Sequence, residues 1–471
     1  MSINRVPARQ VQGDPGTAGT SRSSDTTEFK RVLTTPKLIA FGLAYINLMG
    51  VFTLYGIATH MTRGMMALAF VLATVAMGLT AFSYAAMSRR YVASGSVYSY
   101  VSKTVSPAPA FVVGWVVMLD YLILPLLNFL LIGLYMHQLL PGLPQWLYSL
   151  LGLALIVGLA VKGVNESATL GLVATLAGFV FLLVFAGYMI ATITHSGGVG
   201  SVFDMSGFFS PGALHDPHAG LGSVFGACAI LCLMFLGFDG ITTFAEETHD
   251  PRTQVGRAII LTCAIAGVAF IVLSYLMQLA WPDAWSQMRN PDVASSELIV
   301  KVAGPALNIA FTVIFVVGCV GSGLSALSSG ARIVYSMGRD GVLPRFLGRL
   351  HPRFKTPVAA ICLIGGFGVV SLFTDLTSIS SIVNFGALVA FMAVNLCVPI
   401  VYWKVVGRRG PKAALRYLAL PAAGFVVDFL IWINLDATAK SIGFGWALCG
   451  LVVLAVMTRG FRKPMRELSE M

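Results

Sequence analysis

Charge is scarce in this 471-residue chain: Asp, Glu, Lys and Arg together make up 11% of it. A soluble globular domain carries about a quarter charged residues, so that class is excluded. Cysteine is missing from every polar stretch. All seven (Cys228, Cys232, Cys263, Cys319, Cys362, Cys397 and Cys449) fall inside long apolar runs, which excludes a disulfide framework in external loops. Catalytic signatures are absent as well: there is no HExxH, no GxSxG and no phosphate-cradling GxxxxGK[ST]. Without a nucleotide-binding domain, any transport draws its energy from an ion or counter-substrate gradient. Residues 1–35 lack an apolar signal core and are rich in Ser, Thr, Gly, Pro and Gln. They read as a disordered cytoplasmic tail instead of a cleaved signal peptide.

What the chain does have is hydrophobicity: 57% of its residues are hydrophobic and its mean hydropathy is +0.82. The apolar residues fall in twelve blocks, roughly 36–59, 65–87, 109–138, 146–162, 168–193, 222–244, 255–280, 304–337, 357–374, 380–404, 416–434 and 441–458. Helices of about 20 residues cross ~30 Å of hydrocarbon. The fold class is therefore an all-α polytopic membrane protein with twelve transmembrane helices, the third and eighth long enough to tilt or project. Residues 36–404 form a core of ten segments, 405–458 supply the last two, and 459–471 form a cytoplasmic C-terminal tail.

Basic residues set the orientation. With the N-terminus inside, all Lys and Arg except Arg63, Arg289, Lys301 and Lys440 fall on the cytoplasmic side, as the positive-inside rule requires. The net charge of +11 thus reports topology. Scattered over short loops, it does not describe a nucleic-acid surface. The expected setting is the inner (plasma) membrane, with both termini cytoplasmic.

Two apolar segments are interrupted alike. The first carries Gly42, Asn47, Gly50 and Gly56; the sixth carries Gly226, Gly237 and Gly240 with Asp239 between the last two. Glycine costs about 1 kcal/mol relative to Ala in a helix, and a charge in hydrocarbon at least ~2.5 kcal/mol. Singly, such glycines pack helix faces together. Paired five segments apart with an embedded Asp, they predict two discontinuous helices in an inverted repeat of five plus five. Each break would expose unpaired N–H groups on one side and C=O groups on the other, suited to a carboxylate and an ammonium.

Other polar residues sit in apolar surroundings. Asp120 lies about eleven residues into the third segment, where a carboxylate is neutral, paired or in a wet cavity. It reads as a ligand for a substrate ammonium, as a proton-carrying site, or as an acceptor for neighbouring helices. Tyr121 points roughly 100° away around the helix. Ser322, Ser325 and Ser329 share a helical face, open to coupling-ion coordination or to packing, and Glu246 and Glu247 form an inner gate or a solvated helix end. Cys228 and Cys232 share a face as a metal pair or, without a third ligand nearby, as core packing. His195, His215 and His218 form a loose cluster, the only one open to a membrane enzyme.

Several stretches resemble the amino acid–polyamine–organocation transporter superfamily: GLAY (Gly42 to Tyr45), RRYVASGSVYSYVSK (Arg89 to Lys103), VGWVVMLDYLILPLLN (Val113 to Asn128), FLGFDGITTFAEET (Phe235 to Thr248), YSMGRDGVLP (Tyr335 to Pro344) and IVNFGALVAF (Ile382 to Phe391). The combination looks most like bacterial putrescine importers. The resemblance implies a leucine-transporter-like fold with substrate between the unwound parts of helices 1 and 6. Those parts correspond to Asn47, Met49, Gly50, Val51 and Phe52, and to Leu233, Phe235, Leu236, Gly237 and Asp239. Tyr121 matches a position that matters in putrescine importers. Three positions depart from the pattern. Leu48 and Met49 precede Gly50 where the superfamily is Gly-rich. Leu48 and Thr53 stand where the importers have Pro and Asp, which removes a partner for a diamine's ammonium. Gly178 stands where some proton-coupled relatives carry a helix 5 lysine.

The expected function is import of an amino acid or small amine by alternating access, proton-coupled, with Asp120, Ser322 and Ser325 as coupling residues. An amino acid/amine exchanger and a non-transporting membrane sensor are the alternatives. The expected partners are a small-molecule substrate and the lipid membrane, and no cofactor or metal is needed.

Overall fold

Hydrocarbon offers no partner to backbone N–H and C=O groups, so each apolar block must satisfy them internally as a helix. The computed structural model describes residues 33–458 apart from 93–95, 163–164, 211–219, 340–342, 355, 406 and 408–409. Among these residues twelve helices cross or line the bundle. They are α1 (35–62, interrupted), α2 (Met66–Arg90), α3 (Pro107–Leu139), α4 (Gln145–Lys162), α5 (Asn165–Gly197), α6 (221–247, interrupted), α7 (Pro251–Ala280), α8 (Ala294–Arg339), α9 (358–373), α10 (376–405), α11 (411–433) and α12 (Ala437–Met457). Eleven are long and apolar enough to cross a membrane, and α9 carries a shorter apolar helix, Val358–Val370. The chain is an all-α multi-pass membrane protein whose twelve helices match the blocks read from the sequence.

Local chemistry sets the ends. Proline occupies the first turn of α1, α3, α7 and α11, where its fixed φ suits the helix and its missing N–H is not needed. Asp375 and Asp436 cap α10 and α12 by accepting from the N–H of Ser378 and Ala439, both at 2.8 Å, as N-cap carboxylates do. α8 begins on the far side of the bundle, opposite the start of α1, and kinks at Gly304 (φ 83°, ψ 173°). The segment 281–303 forms a short helix at Ala284–Gln287, a turn at Pro291–Val293 and the first residues of α8. It lies over the far end of α1, so close that a Cβ on Gly56 would meet the Pro291 carbonyl oxygen at 2.2 Å.

The bundle is inside-out relative to a soluble protein. Val173, Leu176, Val180 and Leu183 on α5 and Leu448, Val452 and Val456 on α12 are exposed, as lipid-facing residues are. Polar groups such as Asp120, Asn128, Asn384, Asn395 and Asp428 are buried between helices. α3 runs through the middle, packed against α4, α8 and α10. It carries Asp120 into the centre beside both interrupted helices.

Candidate functional site

α1 runs as α-helix from Thr35 to Ile46 and then breaks at Asn47 (φ 51°, ψ 90°). A tight 3₁₀ turn, Leu48–Phe52, follows before α-helix resumes at Tyr55. Asn enters this positive-φ region more readily than most residues because its short side chain bonds locally; here Asn47 Oδ1 accepts from the Met49 N–H at 3.3 Å. α6 is α-helical over Leu221–Leu231 and 3₁₀ over Cys232–Phe235. It opens at Leu236 (ψ 130°) and Gly237 (φ 121°), then continues as 3₁₀ over Asp239–Glu247. Only glycine adopts that φ without strain, and the Tyr45 ring packs so closely that a Cβ on Gly237 would lie 2.0 Å from it. The breaks abut, since a Cβ on Gly50 would meet Met234 Sδ at 3.0 Å. The predicted pair of discontinuous helices is present.

The exposed peptide dipoles differ from expectation. On the N–H side, Gly50 donates to the Asn47 carbonyl at 2.7 Å and Thr53 to the Gly50 carbonyl at 2.8 Å. Gly237 donates to the carboxylate of Asp239 at 3.3 Å. On the C=O side, Asn384 Nδ2 donates to the carbonyls of Ala229 and Ile230 at 2.9 and 3.0 Å. The Phe52 carbonyl accepts from Tyr135 Oη at 3.2 Å and from the Ser295 hydroxyl. A buried amide without a partner costs several kcal/mol, and neighbouring side chains relieve that cost here before any ligand arrives.

The centre is left acidic and aromatic. Asp120 is 8% exposed, and its Oδ1 has no hydrogen-bond partner. Its backbone crosses α10 at Gly386, where a Cβ would sit 2.9 Å from the Val116 carbonyl oxygen. Asp239 is the charged group that acts on Asp120, and both carboxyls act on the hydroxyls of Tyr45, Tyr84 and Tyr121. Tyr121 backs onto α8 at Gly330, so the two neighbours on α3 use different helix contacts yet reach one region.

The remaining candidates line the breaks or leave them. Met49 fills the space above Gly178 on α5, with Cγ 3.0 Å from where a Cβ would be; the position that holds a lysine in some relatives is covered by a thioether. Val51, Leu233 and Leu236 are buried. Phe235 packs edge-on against Phe270 of α7, 5.3 Å between centroids. Phe52 points to the far side, into Phe181, Phe185 and Phe311 at 6.0, 5.7 and 4.9 Å. Ser322 and Ser325 are half-buried, and Ser325 spends its hydroxyl on the Gly321 carbonyl at 3.0 Å. No described hydrogen bond joins either serine to Asp120. On the near side, where α1 begins, Glu247 is half-buried, and its carbonyl accepts from the Leu33 N–H at 3.0 Å. The side chain of Glu246 lies outside the described residues, as do His215 and His218.

Sequence reasoning passed over Tyr45, Tyr84, Asn384 and the buried set Thr80, Asn395 and Asp428. Asn384 lies in the quoted IVNFGALVAF stretch, and Asp428 is a lone carboxylate in AAGFVVDFLIWI, the same signal that marked Asp120.

The amino acid permease family profile matches residues 36–462. The low-affinity putrescine importer PlaP of Escherichia coli K12 is 35% identical over 453 residues, covering 96% of this chain and 98% of its own. The branched-chain amino acid permease BcaP of Bacillus subtilis is 26% identical over 94% of this chain and 96% of its own. A methylthioribose transporter of the same species is 28% identical over 80% and 82%.

Proposed function

This chain belongs to the amino acid permease family, and from that membership we propose that it imports a small organic cation carrying a protonated amine, by alternating access coupled to protons. At the coarser level it is a multi-pass membrane transporter of the amino acid or amine kind, acting on a small molecule. The observation that carries the amine reading is the buried, unpartnered Oδ1 of Asp120 in an aromatic centre whose helix breaks already have their N–H groups engaged. A substrate carboxylate would compete with Asn47 and Asp239 for those N–H groups. A substrate ammonium meets an unpartnered Asp120 oxygen and aromatic faces, both favourable to cations. The 35% identity to a putrescine importer agrees with this class. Leu48 and Thr53 leave the second end of a diamine without the carboxylate implied by the resemblance, which favours a monoamine or a weakly held diamine.

The setting we propose is the inner membrane with both termini cytoplasmic, supported by the distribution of Lys and Arg. Residues 36–404 then form the transport core, and the near side faces the cytoplasm. The test is uptake of labelled putrescine, a monoamine and a branched-chain amino acid into proteoliposomes, with and without an inward proton gradient. Gradient-dependent amine uptake is expected. Uptake of the amino acid alone, unaffected by excess amine, would overturn the reading.

A further inference from the structure

A second polar centre lies away from the substrate site, where α2, α10 and α11 meet. Asp428 on α11 is fully buried. Its Oδ2 accepts from Thr80 Oγ1 at 2.8 Å and from Asn395 Nδ2 at 2.9 Å, and Asn395 Nδ2 also donates to Thr80 Oγ1 at 3.0 Å. A threonine hydroxyl has one donor hydrogen and an asparagine amide two, so these three contacts use every donor in the set. Two oxygens, Asp428 Oδ1 and Asn395 Oδ1, stay buried and without a partner. As long as Asp428 is ionised both are acceptors, and neither can satisfy the other.

Among the described residues no cation bonds to either oxygen. The titratable groups on which Asp428 acts are Tyr84 on α2 and Cys232 on α6. The basic residues of described burial on these helices, Arg89 and Arg90 on α2 and Lys412 and Arg416 on α11, are exposed; at ~1.5 Å per residue the nearer of each pair, Arg89 and Arg416, are about 13 and 18 Å along their helices from Thr80 and Asp428. A bare carboxylate in hydrocarbon costs at least ~2.5 kcal/mol, whereas a proton on Oδ1 removes the charge and converts an orphan acceptor into a donor.

Two neighbouring features place this carboxyl on a path. A cavity lined by Ser83, Arg89, Val398, Tyr402, Arg416 and Pro421 offers about 30 Å³ of water-sized space, enough to hold a water. Ser83 lies three residues from Thr80, Val398 three from Asn395, and Pro421 seven from Asp428, so the cavity ends within about two turns of the set. Tyr84, next to Ser83 in sequence and one turn from Thr80 on the same face of α2, borders the set as well. Its buried hydroxyl has no partner, and its ring packs on that of Phe238, the residue before Asp239, with centroids 5.8 Å apart.

We infer that Thr80, Asn395 and Asp428 form a proton-binding site in which Asp428 is a neutral carboxylic acid, reached by water from the near side and linked to the central carboxyls through Tyr84. The proton is held as the Asp428 Oδ1–H bond and returns to water when that bond breaks. The assignment deepens the proposed function by moving the coupling proton from Asp120 to Asp428; only the transport half of its test rests on that reading.

The substrate-free half is infrared spectroscopy of the full-length protein in liposomes at neutral pH. The wild-type-minus-D428N difference is expected to contain one carboxylic-acid C=O band that shifts in D₂O. A difference confined to ionised-carboxylate bands overturns the proposal. Sodium-dependent thermal stabilisation with no acid band overturns it in favour of a monovalent-cation site. Should D428N fail to fold, Thr80→Val removes one hydrogen bond from the carboxyl and is expected to move the same band; an unmoved band overturns the assignment. In the transport half, one proton per substrate gives about tenfold accumulation for a tenfold proton gradient, and D428N is expected to abolish it. Full gradient-driven accumulation by D428N would overturn the coupling role even where the infrared band is present.

Discussion

On the far side of the breaks, the rings of Phe52, Phe181, Phe185 and Phe311 form a cluster in which each of Phe181, Phe185 and Phe311 lies within 6.0 Å of Phe52. Tyr135 joins them at 5.6 Å from Phe311 and 4.6 Å from Phe315, and every ring in the cluster is buried. On the near side, Tyr45, Tyr121, Ser322, Ser325 and Phe244 are half-buried. One side is closed by apolar packing several residues thick. The contacts described on the other include the Phe41–Phe244 pair at 4.3 Å and the backbone bridge between Leu33 and Thr248. The contrast teaches that, on the proposed alternating-access cycle, the two sides would open against different forces: clustered aromatic packing on the far side, and a ring pair with a backbone bridge on the near side.

Substitutions can break or sharpen this contrast. Phe311→Ala, in the centre of the far cluster, is expected to destabilise by about 3–5 kcal/mol, the range for emptying a buried aromatic site, read as a large fall in thermal stability in detergent. Asp120→Asn tests the point between the two sides. Losing a hydrogen bond to a charged partner is worth ~1.5–3 kcal/mol, so the KM for amine uptake should rise roughly 10- to 100-fold with little change in stability.

Asp375→Ala removes the cap of α10 and is expected to cost about 1 kcal/mol at neutral pH. Partial burial pushes this carboxyl up, but hydrogen bonds from the Ser378 N–H and hydroxyl outweigh it and hold it below the usual carboxylate value. The cap's stabilisation is therefore present above the usual carboxylate range and lost as pH falls through the lowered value. The wild-type and variant melting curves should converge in acid. Ser325→Ala, on the near side, should change stability by less than about 0.5 kcal/mol. A loss as large as that of Phe311→Ala would erase the difference between the sides.

Much of this was legible in the sequence, where the signal is one-dimensional. The membrane helices follow from block length, and the breaks at Asn47 and Gly237 from glycines and an Asp in places a continuous helix would not tolerate. The fate of the peptide dipoles was not legible, because their partners come from afar. Asn384 reaches Ala229 across 155 residues and Ser295 reaches Phe52 across 243. The angle between Asp120 and Tyr121 on one helix suggested divergence, yet the field of Asp239 on α6 acts on both. Asp428 was visible by the rule that exposed Asp120. Only the three-helix junction shows that its partners, Thr80 and Asn395, lie 348 and 33 residues away.

The bridge between Leu33 and Thr248 has a mechanical corollary. Leu33 donates to Glu247 and accepts from His249, at 3.0 and 3.1 Å, stitching the approach to α1 onto the exit of α6. Each such bond is worth about 1 kcal/mol net, so a swing of one half-helix either drags the other along or forfeits both stitches. On the proposed alternating-access cycle, these two bonds would tie the swing of one half-helix to that of the other, so that a substrate leaving by that route meets one door, not two.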